Sequence, residues 1–459
     1  MGNAPRADDG NNALYSITRG ALPTRLNEFV FIVERSSTMH IAIVTAGGAG
    51  MFCGSCIHDN TWARALHAAD VEVSLIPLYT PIRVDEEDQT SSPVFFGGIN
   101  TYLEDRFAWW SRVPRFLTRW LDAPAIIRMV TRRAISTDAR ELGAMTVSMI
   151  EGEHGPHRRA GEELAAYVSQ LKPDVVCFSN ALLSGTLRAI RQSFSGPIHC
   201  ILQGDDIFLD GLVEPYRGRA MALLAERAAE FDGFITHSDY YRDHMAGYLN
   251  LPVAKFRQLP LAIDCAPHDG QPKARCGDPP TVGYFARVCP EKGLDRLVQA
   301  VLLLRQRIPN VRLRAGGYLA AHHRPYFDEV VRSAAPLGDA FEYIGSPAEK
   351  RDKIEFLKSL DVFSVPTVYR EPKGIYVLEA WANGLPVVLP AHGAFPQLVE
   401  STGGGLLVAP DSPEQLADAL ERVLTNNALR MDLAQHGHRG VRTHHGLENL
   451  AQSTKSLFG

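Results

Sequence analysis

The chain has no long apolar run. Across its 459 residues nothing approaches the roughly 18–20 apolar residues that a membrane-crossing helix needs. Net charge is small: 47 Lys and Arg against 52 Asp and Glu leave −5. That balance argues against a general nucleic-acid binder. The seven cysteines have no disulfide-framework spacing. The one CxxC, Cys53-Gly54-Ser55-Cys56, has no second CxxC or close Cys/His pair to complete a zinc site. No metal is expected. Cys177, Cys200 and Cys289 sit in or beside apolar, strand-like segments, where a free cysteine acts as a small hydrophobe. A reducing, cytoplasmic setting is expected. Also missing is GxGxxG with an acidic residue ending the next strand, which lowers the odds of a dinucleotide site.

What is present is a long alternation of apolar runs and helical periods, too long for one core. It reads as α/β with two Rossmann-like domains. Residues 1–38 open polar and carry no signal-peptide pattern. They are expected to be a disordered extension, with Met39 as an alternative start. The first domain is expected over 39–268, with an insertion at about 81–160. A Pro/Gly/Lys-rich linker follows at 269–280, a second domain at 281–445, and a C-terminal helix at 446–459.

The first domain opens with an apolar strand at 40–45, a turn reading AGGAGMFCGSC, a helix to about residue 69 and a strand at 71–79. Gly47, Gly48 and Gly50 allow close backbone approach to a phosphate or sugar. Cys53 and Cys56 in this turn are open to three readings: a redox pair with a lowered thiolate pKa, half a metal site, or two small residues packed near the loop. The last is favoured. Further strands at 174–178 and 198–202 end on Ser179-Asn180 and Gln203-Gly204-Asp205-Asp206. Polar residues at the carboxyl ends of parallel strands line the crevice of such a sheet. Asn180, Gln203, Asp205 and Asp206 are therefore candidates for the acceptor or sugar side.

Residues 106–133 hold Arg106, Arg112, Arg115, Arg119, Arg128, Arg132 and Arg133 against Asp122 alone, with Trp109, Trp110 and Trp120. A basic, aromatic helical segment suits an anionic membrane surface or an anionic acceptor. It equally suits an ordinary helical pair with arginines in water, which is the favoured reading.

The densest signal lies at 361–393. A short buried strand runs into a polar loop. Gly374 then opens an apolar helix that stops at Asn383-Gly384. Glu371 precedes the helix and Glu379 lies inside it, with seven residues between them. One carboxylate can meet a ligand at the helix tip and the other from the side, while the tip offers N–H groups to an anion or hydroxyl.

Three segments carry a resemblance: Phe285-Ala286-Arg287-Val288-Cys289-Pro290-Glu291-Lys292-Gly293, the pair Glu371-x7-Glu379, and Ala391-His392-Gly393-Ala394-Phe395-Pro396-Gln397-Leu398-Val399. Over roughly 39–445 the chain resembles retaining glycosyltransferases of the GT-B fold, family 4. The resemblance implies two Rossmann-like domains facing across a cleft, a UDP-, GDP- or ADP-hexose as donor substrate, and no cofactor. The acceptor stays unnamed. It implies that Arg287, Lys292 and Glu371 are the catalytic set. The donor would meet Gly47, Gly48, Arg287, Lys292, Glu371 and the backbone around Lys373, Gly374 and Ile375. Glu379 would take the ribose hydroxyls, and Ile344 and Ser346 would edge the base. Cations suit the diphosphate leaving group, where charge grows as the bond breaks.

Two departures stand out. Family members often carry a His at the end of the fourth or fifth strand of the first domain, where this sequence is read as Ser179-Asn180 and Gln203 onward. Lys373 stands where a neutral or aromatic residue is common. A phosphorylase or epimerase of the same fold, and a redox or metal-binding protein using Cys53 and Cys56, remain the alternatives.

Overall fold

The computed structural model describes residues 38–47, 54–92 and 139–459, with scattered positions between 94 and 121. Residues 1–37, Gly48, Gly50, Cys53 and most of 106–133 lie outside the described residues.

Each half of the chain builds one six-stranded, wholly parallel sheet. In the first half these are β1 (His40–Thr45), β2 (Glu72–Pro77), β3 (Val175–Phe178), β4 (Ile198–Ile201), β5 (Gly233–Thr236) and β6 (Phe256–Gln258), in the order 2-1-3-4-5-6. In the second they are β7 (Thr281–Phe285), β8 (Arg312–Gly316), β9 (Phe341–Tyr343), β10 (Val362–Phe363), β11 (Val387–Pro390) and β12 (Gly405–Val408), in the order 12-11-10-7-8-9. Helices cover both faces, so strands such as β1 and β11 are buried at every position and read as unbroken apolar runs.

Among the helices that matter below, α1 (Gly54–His67) follows the glycine turn, α2 (Asp205–Asp210) follows β4, and α3 (Asp239–Tyr248) follows β5. In the second half, α4 (Leu294–Arg305) follows β7 and α5 (Lys350–Lys358) precedes β10. Then come α6 (Ile375–Ala382) after β10, and α7 (Leu447–Phe458) at the end of the chain. The last of these returns to the first half. Its Leu450 and Ala451 join the apolar cluster around α1 and β1, and Trp62 donates its indole N–H to Thr454 at 2.9 Å.

β6 lies at 256–258, where Phe256 shares the core with Leu249 and with Phe234 of β5. Residues 139–151 and 158–171 are helical. Their Val147, Ile150, Ala160 and Leu164 belong to the main core of the first half.

The strand orders decide where a ligand can sit. In each sheet the chain runs outward one way, then returns to the centre and runs the other. The crevice opens beyond the carboxyl ends of the strands on either side of that switch. In the second sheet those strands are β7 and β10, which lead to Arg287 and to Glu371.

Candidate functional site

A cleft cavity of about 730 Å³ lies between the halves. Its lining includes Ser55, Gln203 and Gly204 from the first half, with Arg287, Lys292, Glu371, Lys373, Gly374 and Ile375 from the second.

Glu371 is its electrostatic centre. Its carboxylate accepts from Lys292 Nζ at 2.5 Å, Tyr376 Oη at 2.6 Å and Tyr369 Oη at 2.9 Å. Burial alone would raise its pKa. The Lys292 ammonium and the two phenols outweigh burial and hold the carboxyl at about 2. Lys292 in turn lies 5.0 Å from the Tyr369 ring centre and 4.9 Å from that of Tyr376. Gly393 explains part of this placement. With φ near +61°, it lets the chain pass where a Cβ would come within 2.4 Å of the Glu371 carbonyl oxygen, and the Ala394 N–H then bonds that carbonyl at 2.8 Å. Arg287 is exposed at the rim, immediately beyond β7. Gly374 caps α6, so the first-turn N–H groups of that helix open toward the same space.

Glu379 faces a neighbouring cavity of about 160 Å³, lined also by Phe285, Arg287, Ser346, Asp85 and Lys353. Its Oε1 lies 2.6 Å from Lys353 Nζ, and Lys353 also lies 2.5 Å from Asp85 of the first half. Burial would lower the Lys353 pKa, but Glu379 and Asp85 raise it. Burial would raise that of Asp85, but Lys353 lowers it. Neither Lys353 nor Asp85 stands out in the sequence. The only signal is a complementary pair of charge runs, Asp85-Glu86-Glu87-Asp88 and Lys350-Arg351-Asp352-Lys353.

The first-half candidates divide. Gln203 lines the large cavity. Its amide nitrogen donates to Asp59 at 2.9 Å and to the Ser179 carbonyl at 3.0 Å, which turns its oxygen toward Lys373 Nζ at 3.0 Å. Lys373 thus reaches across the cleft, also to Ser55 Oγ at 3.4 Å. Asp205 turns inward and accepts from the N–H groups of Ala181 at 2.6 Å and Gln203 at 2.9 Å. Burial pushes its carboxyl up to about 6. Asp206 accepts from Tyr241 Oη and pairs with His244 on α3. Asn180 caps the turn after β3, and its side-chain oxygen is buried. Asp205 and Asp206 thus brace the loops, while Asn180 makes no side-chain cap bond, and all three lie beside Gln203 rather than with it in the cavity wall.

Ser346 lines the small cavity, whereas Ile344 is half-buried against the core of the second half. Gly47, with φ near +88°, is needed against Thr80, whose carbonyl oxygen would lie 2.0 Å from an added Cβ. Cys56 is buried in α1.

Counted in the folded sheet, Ser179-Asn180 and Gln203 follow the third and fourth strands, and the fifth runs into His237. That ring lies 4.4 Å from His58 between centres. Burial lowers both pKa values, at His58 against the hydrogen bond and charge of Asp59, and Lys373 adds to the lowering of each. The sequence reading missed this histidine pair. Among the described residues, Cys289, Glu291 and His323 bring metal-ligating atoms within 4.8 Å of one another. They supply three donors, and burial pushes the Cys289 thiol up to about 11.

Two parallel-sheet halves with a charged cleft at their switch points constitute the GT-B fold, the architecture of many nucleotide-sugar transferases. Residues 269–439 match the family described as glycosyl transferases group 1, and the match supports that family for the second half. The D-inositol 3-phosphate glycosyltransferase of Actinosynnema mirum is 32% identical over 220 residues, covering 45% of this chain and 52% of the relative. The GDP-mannose-dependent alpha-(1-6)-phosphatidylinositol monomannoside mannosyltransferase of Mycobacterium tuberculosis is 28% identical over 229 residues, 47% of this chain and 58% of the relative. The chain thus spans about half the length of these curated relatives. Among solved structures, sucrose-phosphate synthase of Thermosynechococcus elongatus superposes with a TM-score of 0.66 at 19% identity, covering 92% of this chain and 98% of that one. Anabaena HepE, solved with UDP-glucose, gives 0.60 at 15% identity, covering 91% and 99%. At such identities the likeness shows the fold.

Proposed function

We propose that the protein is a retaining hexosyltransferase that takes a nucleoside diphosphate sugar as donor. The observation that carries this reading is the Lys292–Glu371 pair at the mouth of α6, beside Arg287 and in a cavity walled by both halves. A leaving diphosphate needs cations and N–H donors where negative charge develops. Arg287, Lys292 and the tip of α6 supply them. Glu371, held ionised, accepts sugar hydroxyls. Glu379 serves the ribose and Ser346 edges the base. The likeness to group 1 transferases and the UDP-glucose bound by HepE support a nucleotide-sugar donor.

The expected chemistry is front-side displacement, in which the departing phosphate helps to deprotonate the acceptor and no protein nucleophile is used. Two glycosidase carboxylates would instead flank one bond. Here Glu371 and Glu379 open onto different cavities. The acceptor enters from the side of Gln203, Ser55 and Lys373. The protein works in the cytoplasm.

A panel of UDP-, GDP- and ADP-sugars, assayed for nucleotide release, tests the reading. One donor should turn over, and Arg287→Ala should cut its rate by about 10²–10³. Full activity in that variant, or glycosyl transfer to an acceptor only from a sugar 1-phosphate with release of inorganic phosphate, would sink it.

A further inference from the structure

The loop at 80–90 belongs to the first half, yet its side chains end on α5 of the second. Asp85 lies 2.5 Å from Lys353 Nζ, and Glu86 lies 2.7 Å from Lys350 Nζ. The loop is braced from its own side. Asn60 on α1 donates to the Glu87 carbonyl at 3.0 Å and accepts from the Gln89 N–H at 2.9 Å. Arg64 on the same helix pairs with Glu86 at 2.9 Å and with Asp264 at 2.8 Å. Asp85 therefore reaches Lys353 on a fixed loop.

Lys353 simultaneously holds Glu379 at 2.6 Å, and both are buried, at 7% and 8% exposure. Asp85, Lys353 and Glu379 together line the small cavity. Two carboxylates accept from hydroxyl groups, and an ammonium between them donates to hydroxyl oxygens. This is the donor and acceptor set that a vicinal diol needs. Lys353 and Glu379 share one half, so parting the halves leaves them together and removes only Asp85.

We propose that Asp85 and Lys353 complete a diol-reading end of the nucleoside subsite, so that the donor's ribose is read in full only when the two halves are closed. The proposal rests on the donor reading above. It makes Lys353 both a support of Glu379 and a donor to the diol, and gives the first half a part in donor selection. Because Asp85 meets Lys353 only in the closed form, nucleotide binding and closure favour each other to the same degree.

The test is calorimetric titration of the full chain with UDP, GDP and ADP, each beside its 2′-deoxy form. The protein should bind one ribonucleotide about tenfold or more tightly over its deoxy counterpart, as expected when a buried polar set loses its partner. Asp85→Asn, close to isosteric, should weaken the ribonucleotide about tenfold and leave the deoxy form nearly unchanged. Lys353→Met should likewise erase the preference, and Lys353→Arg should restore part of it. If Lys353→Met fails to fold, Asp85→Asn decides alone. Equal weakening of both nucleotide forms, or an intact preference in Asp85→Asn, would overturn the proposal. Binding of no nucleotide by the parent protein would instead overturn the donor reading itself.

Discussion

Glu371 and Glu379 stand eight positions apart and each is paired with a buried lysine, Lys292 and Lys353. The surroundings differ. Among the described residues, the Glu371 carboxylate bonds groups of the second half: one ammonium, two tyrosines and the Lys373 N–H. Glu379 shares its lysine with Asp85, from the other half. The first is built from one half alone, and the second draws on both. Under the proposed function such a site separates two tasks: one end holds the charge on which the chemistry would depend, and the other would register that the halves have come together.

The strongest way to break this comparison is at Glu371. Glu371→Ala leaves Lys292 buried without its carboxylate, and removing one partner of a buried pair costs about 3–5 kcal/mol. Turnover should vanish and the melting temperature fall. Glu371→Gln keeps the shape, and full donor turnover in that variant would contradict the role given to the carboxylate.

Acid titration comes next. Glu371 sits at about 2 against an ordinary 4.5, so its folded-state pKa is depressed. The stability it contributes is present above pH 4.5 and is lost as pH falls toward 2. By linkage that contribution is about 3 kcal/mol. Urea unfolding of the parent protein and of Glu371→Gln, followed from pH 6 downward, should converge over that window. Parallel curves would show that the carboxylate titrates unperturbed.

The smallest effect is expected at the first-half wall. Gln203→Ala removes an oxygen 3.0 Å from Lys373 Nζ and the amide donor to Asp59. Stability should drop by about 1 kcal/mol, the worth of a typical hydrogen bond. The KM for donor or acceptor should rise several-fold, with kcat less affected. A change in melting temperature alone, with both kinetic constants intact, would make Gln203 a structural residue.

Much of the fold was legible because parallel strands buried on both faces leave continuous apolar runs, as in β1 and β11. Arg287, Lys292, Glu371 and Glu379 were legible because each lies within a few residues of a strand end or helix start. Local punctuation by Gly293, Gly374 and Gly393 marks those places. Asp205 and Asp206 share a strand end with Gln203, but proximity in sequence said nothing of direction. In the fold both carboxylates turn to neighbouring N–H and O–H groups while Gln203 faces the cleft. His237 was passed over because it follows a strand that gave no other sign of facing the site.

By itself the sequence determined the alternation of strands and helices, the two parallel sheets and the charged residues at the second sheet's switch point, since these follow from periodicity and turns a few residues long. Only the tertiary structure decided that Lys353 stands between Glu379 and Asp85, 268 positions from the latter. It also decided that Lys373 meets Gln203 across the cleft. A charge run such as 350–353 looks solvated in sequence. The burial of Lys353 within it depends on the docking of two separately built sheets, and no local pattern encodes that docking.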